Sequence, residues 1–137
     1  MKKMDKAEDV VISIKRGKET ILIAEDNEGV RRFMVEILRQ YGYKTIEAID
    51  GEDAITRFKE HPDIGLVIID SVMPKKNGLE TFEEIHKINP HIKVLFTSGY
   101  TKDVVLDKGI IEKKFDFIGK PLSLSKLLLK VRQVLDK

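Results

Sequence analysis

The 137-residue sequence predicts an α/β domain, a doubly wound five-stranded parallel sheet with helices on both faces. Three observations predict it. Five short apolar runs alternate with stretches that repeat apolar side chains at helical spacing. The best of those runs, Leu66-Val67-Ile68-Ile69, is continuous rather than alternating, as a strand buried on both faces should be. Parallel neighbours need a crossover between them, and the helical stretches supply it.

The elements follow in order. Residues 1–18 carry six basic and three acidic residues with one apolar patch, Val10-Val11-Ile12-Ser13-Ile14, and read as a tail or linker; the patch fits an extra strand or a partner contact. Ile21-Leu22-Ile23-Ala24 is a first strand ending on Glu25-Asp26. A helix capped by Asn27 follows, with Val30, Phe33, Met34, Ile37 and Leu38 on one face, Arg31, Arg32, Glu36 and Arg39 on the other, and Gly42 stopping it. Tyr43 to Ala48 is a second strand, and Asp50-Gly51 is a turn or the entry to a helix with Ala54, Ile55 and Phe58 inside, ended by Pro62. Ile64 to Asp70 is the third strand. Asn77-Gly78 opens a helix with Leu79, Phe82, Ile85 and Ile88 inward, closed by Asn89-Pro90. Ile92 to Phe96 is a fourth strand ending on Thr97-Ser98-Gly99, a shorter helix is expected over 101–112, and Phe115 to Ile118 is a fifth strand ending on Gly119-Lys120-Pro121. A last helix, capped by Ser123, turns Leu124, Leu127, Leu128, Val131, Val134 and Leu135 to one side.

Composition narrows the function classes. With 42% hydrophobic residues the chain fills one core, residues 19–137 forming a single domain. Twenty-five basic against 23 acidic residues leave a net charge of +2, without the gathered basic face that direct nucleic acid binding wants. The absence of cysteine excludes disulfides and thiolate metal sites and agrees with a cytoplasmic setting. No apolar run approaches the roughly 20 residues that span a bilayer, so no membrane insertion is expected. His61, His86 and His91 have no metal-ligand spacing and read as surface residues.

In such a sheet all carboxyl ends of the strands lie on one rim, where open α/β sheets bind ligands. Glu25-Asp26, Asp70, Thr97-Ser98 and Lys120 meet there. Crowded carboxylates repel, and Mg²⁺ relieves them with hard oxygen ligands while sharing its shell with a phosphate. A lysine and a hydroxyl beside the acids suit an anionic ligand arriving on the metal.

These residues carry a resemblance to the receiver domains of two-component response regulators, covering residues 19–137. Glu25-Asp26 matches the family's metal-binding pair, and Asp70 with Met73-Pro74 and Gly78 matches the phosphoacceptor segment. Ser98 falls at the Thr or Ser position, Phe117 at the aromatic switch position, and Lys120-Pro121 at the lysine and the proline usually preceded by a cis bond. The resemblance implies the flavodoxin-like strand order 2-1-3-4-5. It implies a phosphoryl group passing from a phosphohistidine, on a histidine kinase or phosphotransfer protein, to Asp70. Asp26 and Asp70 would bind Mg²⁺ directly, Glu25 through water and Val72 through its carbonyl. Lys120 and Ser98 would hold phosphoryl oxygens, and Phe117 would turn inward and repack a surface read by a downstream protein.

Three departures bear on this. Glu25 stands where many members have Asp, which favours a water-mediated metal contact. Phe117 lacks the hydroxyl of the commoner Tyr. Val72 and Tyr100 sit at the places that tune phosphate lifetime; apolar Val72 cannot orient an attacking water and bulky Tyr100 shields the site, so a long-lived phosphorylated form is expected.

Such a chain is a self-phosphorylating and self-dephosphorylating switch rather than a metabolic enzyme. A phosphorylation-independent pseudo-receiver is the alternative, and a flavin or nucleotide enzyme is disfavoured because no glycine-rich phosphate loop follows the first strand. The stretch Gly17-Lys18-Glu19-Thr20-Ile21-Leu22 looks like the join before a C-terminal receiver in hybrid histidine kinases; a free-standing regulator fits as well.

Overall fold

The structure, a computed structural model, describes residues 14–99, 108–110 and 113–137. Five parallel strands, β1 (Thr20–Ala24), β2 (Lys44–Ala48), β3 (Ile64–Asp70), β4 (Lys93–Ser98) and β5 (Phe117–Gly119), form one sheet in the order β2-β1-β3-β4-β5. The doubly wound arrangement is as the apolar pattern predicts, and the order 2-1-3-4-5 is as the resemblance implies.

Four helices are fully described: α1 (Glu28–Gln40), α2 (Gly51–Glu60), α3 (Gly78–Ile88) and α4 (Leu124–Leu135). Their starts are chemically marked. Asn27, Asp50, Asn77 and Ser123 each accept a backbone N–H of the first turn, and Asn77 forms a reciprocal capping box with Glu80. Asp50-Gly51 is thus a helix entry.

Successive side chains of each strand alternate between two cores. Ile21, Ile23, Leu66, Ile68, Leu95 and Ile118 pack under α1 and α4, against Met34, Leu38, Leu127 and Val131 among others. Leu22, Ala24, Val67, Ile69 and Phe96 pack under α2 and α3, against Ala54, Phe58 and Ile85. On that second side Phe82 makes edge contacts with Phe115, ring centroids 4.9 Å apart, and with Phe96 at 6.0 Å.

Several details depart from the sequence reading. Phe33, expected on the inner face of α1, is 39% exposed beside a hollow it shares with Val30, Pro121 and Leu122, and Val35 takes the core position instead. Arg31, expected on the solvent face, is only 11% exposed. Ile88 ends α3 beyond the edge of the core and is exposed. β4 runs on through Thr97 and Ser98, which pair with Ile118 and Gly119. β5 begins at Phe117, because Phe115 leaves the ladder for the aromatic cluster and bonds its N–H to Ile110 O.

Residues 14–18 lie against the domain. Ile14 is buried in the α1/α4 core, Gly17 N–H donates to Tyr41 O at 2.9 Å, and the Arg16 guanidinium lies 5.9 Å from the Tyr41 ring centroid. The remainder of the apolar patch, residues 10–13, lies outside the described residues, as does the helix expected over 101–112 except for helical residues 108–110.

Candidate functional site

The carboxyl ends of β1, β3 and β5 bring Glu25, Asp26, Asp70 and Lys120 together. One carboxylate oxygen each from Glu25, Asp26 and Asp70 lies within 4.8 Å of the others. Asp26 is exposed, whereas Glu25 and Asp70 are 1% and 4% exposed. Lys120 Nζ sits between the buried pair, 2.8 Å from Glu25 Oε1 and 3.3 Å from Asp70 Oδ2.

Two charged acids this close and this dry cannot both be comfortable. Burial, reinforced by Glu25, pushes the Asp70 carboxyl up to about 7 against the opposing pull of Lys120. Burial works to lower the Lys120 pKa, but Glu25 and Asp70 together outweigh it and raise it.

The backbone around this cluster is held from several directions. Asn27 N–H donates to Glu25 Oε2 at 3.0 Å, and Arg31 donates from Nη1 to the Glu25 carbonyl at 2.9 Å while its Nε pairs with Glu47. Ser71 N–H bonds Thr97 O, and Gly78 N–H returns to Ser71 O, closing the loop after β3. A side chain at Gly78 would strike the Asp70 carbonyl oxygen at 2.6 Å, so glycine is needed there. Lys120 N–H bonds Ser98 O at 2.8 Å, and the Lys120–Pro121 peptide bond is cis.

The cluster also fits a hard divalent cation. Glu25 Oε1 is buried and, despite its ion pair, lacks an aligned hydrogen bond among the described residues, leaving an acceptor direction open beside two further carboxylates.

The other expected residues are near but differently set. Ser98 is buried at the last position of β4, on the same sheet face as Phe117, whose registered partner Phe96 precedes Ser98 by two. Phe117 and Val72 are exposed, at 40% and 39%. Tyr100 lies outside the described residues. His86 and His91 are exposed, His61 is half-buried, and none belongs to the acidic cluster. The role of Arg31 was missed by sequence reasoning; its one signal was a place in the first turn after the acid pair, which nothing in the sequence separates from that of neighbouring Arg32.

The family model for the response regulator receiver domain matches residues 21–132. The chain belongs to this family. As a receiver domain of two-component systems it has close relatives in two settings. It is 35% identical to the sensor kinase CckA of Brucella abortus over 99% of this chain, yet it spans only 14% of that kinase's length. It is 30% identical to the response regulator receiver protein CpdR of the same organism, over 84% of this chain and 95% of that protein. Among solved structures, the CheX-CheY-BeF3-Mg complex from Borrelia burgdorferi is 30% identical with a TM-score of 0.76, covering 87% of this receiver domain and 90% of the matched chain. Receiver domains act with histidine kinases and downstream targets and generally bind Mg²⁺, for which the acidic cluster here is suited. No helix among the described residues is long and apolar enough to cross a membrane.

Proposed function

We propose that this receiver domain is a phosphoacceptor switch in which Asp70 takes a phosphoryl group from the phosphohistidine of a histidine kinase or phosphotransfer protein. The observation that carries the proposal is the buried Asp70 carboxylate held 3.3 Å from Lys120 within a cluster of three acids. An Asp70 oxygen attacks phosphorus in line. The new O–P bond forms as the P–N bond breaks and its electron pair returns to the imidazole, leaving an aspartyl phosphate. Such transfers ask chiefly for positioning and charge neutralisation.

Lys120 exchanges its present carboxylate partners for a phosphoryl oxygen, and Ser98 donates to another. Asp26, Asp70, the Val72 carbonyl and, through water, Glu25 would hold Mg²⁺, which supplies neutralising charge to the transferred group. Ser98 and Phe117 share one face of the sheet, which supports coupling between them: movement of Ser98 toward the phosphoryl group makes room for Phe117 to turn inward, altering the surface a protein target reads. The Borrelia relative, bound to CheX with beryllofluoride and Mg²⁺, supports partner binding by the phosphoryl-like state. The domain then works as a cytoplasmic switch rather than a metabolic enzyme, and its match across almost its whole length to part of a sensor kinase supports a hybrid-kinase origin.

Incubation with Mg²⁺ and acetyl phosphate should add the mass of one phosphoryl group, removable by alkali, to the wild-type chain and none to Asp70→Asn. With apolar Val72 beside the acceptor, the label should outlast seconds after donor removal. No mass gain, or a gain retained by Asp70→Asn, defeats the reading and favours a pseudo-receiver.

A further inference from the structure

Thr97 has no exposed surface, and among the described residues its hydroxyl has no hydrogen-bond partner. Ser71 Oγ shares that condition, but Ser71 lies past the end of β3 and has no registered partner in the sheet. Ile23, Ile68 and Leu95 stand in register in the α1/α4 core, and Ala24, Ile69 and Phe96 stand in register in the α2/α3 core. Because successive side chains alternate, the next registered pair, Asp70 and Thr97, returns to the α1/α4 face. Ile118, the registered partner of Thr97 on β5, lies in that same core. Ser98 falls on the opposite face. Of the two adjacent hydroxyls that end β4, the one on the face of Asp70 is Thr97.

Lys120 gives this placement its meaning. It follows β5, whose neighbour in the sheet is β4, yet its ammonium reaches Asp70 on β3 and Glu25 beyond β1. A side chain reaching from the end of β5 to β3 has to pass β4, and Lys120 stands two residues after Ile118, the registered partner of Thr97. A lysine has three N–H donors and no acceptor, and this ammonium lies 2.8 Å from Glu25 Oε1 and 3.3 Å from Asp70 Oδ2. A buried hydroxyl without a partner is costly, so it is an unfavourable choice at this position unless another state of the site uses it.

We propose that Thr97 is a positioning residue of the phosphoryl site: its hydroxyl accepts an N–H of Lys120 and holds the ammonium over Asp70 when the lysine turns from Glu25 to a phosphoryl oxygen. This deepens the phosphoacceptor reading and rests on it. Thr97 touches neither the phosphoryl donor nor the metal, and acts through Lys120. Thr97→Val preserves the shape and removes the acceptor; Thr97→Ser preserves the acceptor and removes a methyl group.

The three chains are compared in Mg²⁺ by titrating beryllofluoride, a phosphoryl mimic, and following backbone amide resonances. Thr97→Val should weaken beryllofluoride binding about tenfold, the scale of one hydrogen bond to a charged group, and Thr97→Ser should restore it. Mg²⁺ affinity without beryllofluoride, set by the carboxylates, should be the same in all three. Unchanged beryllofluoride affinity in Thr97→Val with a raised Tm would mark an idle buried hydroxyl and overturn the proposal, as would a loss that Thr97→Ser fails to restore. A wild-type chain that ignores beryllofluoride altogether would instead overturn the phosphoacceptor reading itself, and the role of Thr97 with it.

Discussion

Replacing Asp70 by Asn should stabilise the unphosphorylated domain, although it destroys the proposed acceptor. Burial and Glu25 move the Asp70 carboxyl from 3.8 up to about 7. At about 1.4 kcal/mol for each tenfold change, that difference corresponds to about 4 kcal/mol of unfavourable free energy once Asp70 is ionised. The variant forfeits the contact with Lys120 at 3.3 Å, but the lysine keeps Glu25 at 2.8 Å, so no cation is orphaned. The value of about 7 already includes the pull of Lys120, and allowing about half for the new amide donors leaves a gain of about 2 kcal/mol.

The sign with pH is definite. Between 3.8 and about 7 the folded protein retains a proton that the unfolded chain releases, so wild-type stability falls as pH rises through that window. The advantage of Asn is therefore full above pH 7 and nearly gone at pH 4. Thermal unfolding of both proteins without Mg²⁺, at about pH 8 and about pH 4.5, should show a Tm gain of about 6 °C at the higher pH only. Mg²⁺ should narrow the gap by stabilising the wild type. Equal Tm values at pH 8, or a gain equally large at low pH, refute the claim that the ionised Asp70 is a source of strain.

Two further perturbations test the frame around the site. Gly78→Ala places a methyl group 2.6 Å from the Asp70 carbonyl oxygen and 2.9 Å from Ser71 Cα, both backbone atoms, and should cost about 2 kcal/mol, read as a lower urea midpoint with unchanged slope; an unaltered midpoint would mean the loop gives way freely. Arg132 grips Glu19 through two hydrogen bonds, at 2.7 and 3.2 Å, and holds its carboxyl down from 4.5 to about 2. That contribution is present above pH 4.5 and lost as pH falls toward 2. After discounting for its solvent-screened setting, Arg132→Met should cost about 1 kcal/mol at pH 7 by denaturant titration, with the difference closing at acid pH; a difference independent of pH would assign the effect to packing.

The sheet and the gathering of Glu25, Asp26, Asp70 and Lys120 were legible because both depend on where apolar runs stop, and a buried strand cannot hide its end. What depended on side-chain direction was not. Phe33 and Met34 are equally apolar, and only the loop after β5 decides that Phe33 borders an open hollow. Thr97 and Ser98 are adjacent hydroxyls, and which one shares a face with Asp70 follows from the register of β4 against β3, a long-range pairing no local pattern encodes. Arg31 resembles its neighbour Arg32 in sequence, yet the Glu25 carbonyl and Glu47 draw it inward.

Ile14 and Gly17 have a practical corollary. The family match begins at residue 21, but packed chain extends upstream of it at least to Ile14, which lies in the core, and Gly17 bonds to Tyr41, the residue that caps α1. Gly42 has a positive φ of 98° and offers no room for a side chain against the Gly17 carbonyl, so the two glycines are fitted to each other. Excising the domain at the consensus boundary would remove half of that fit. A cut placed upstream of Ile14 keeps the latch that fastens the chain's entry to the end of the first helix.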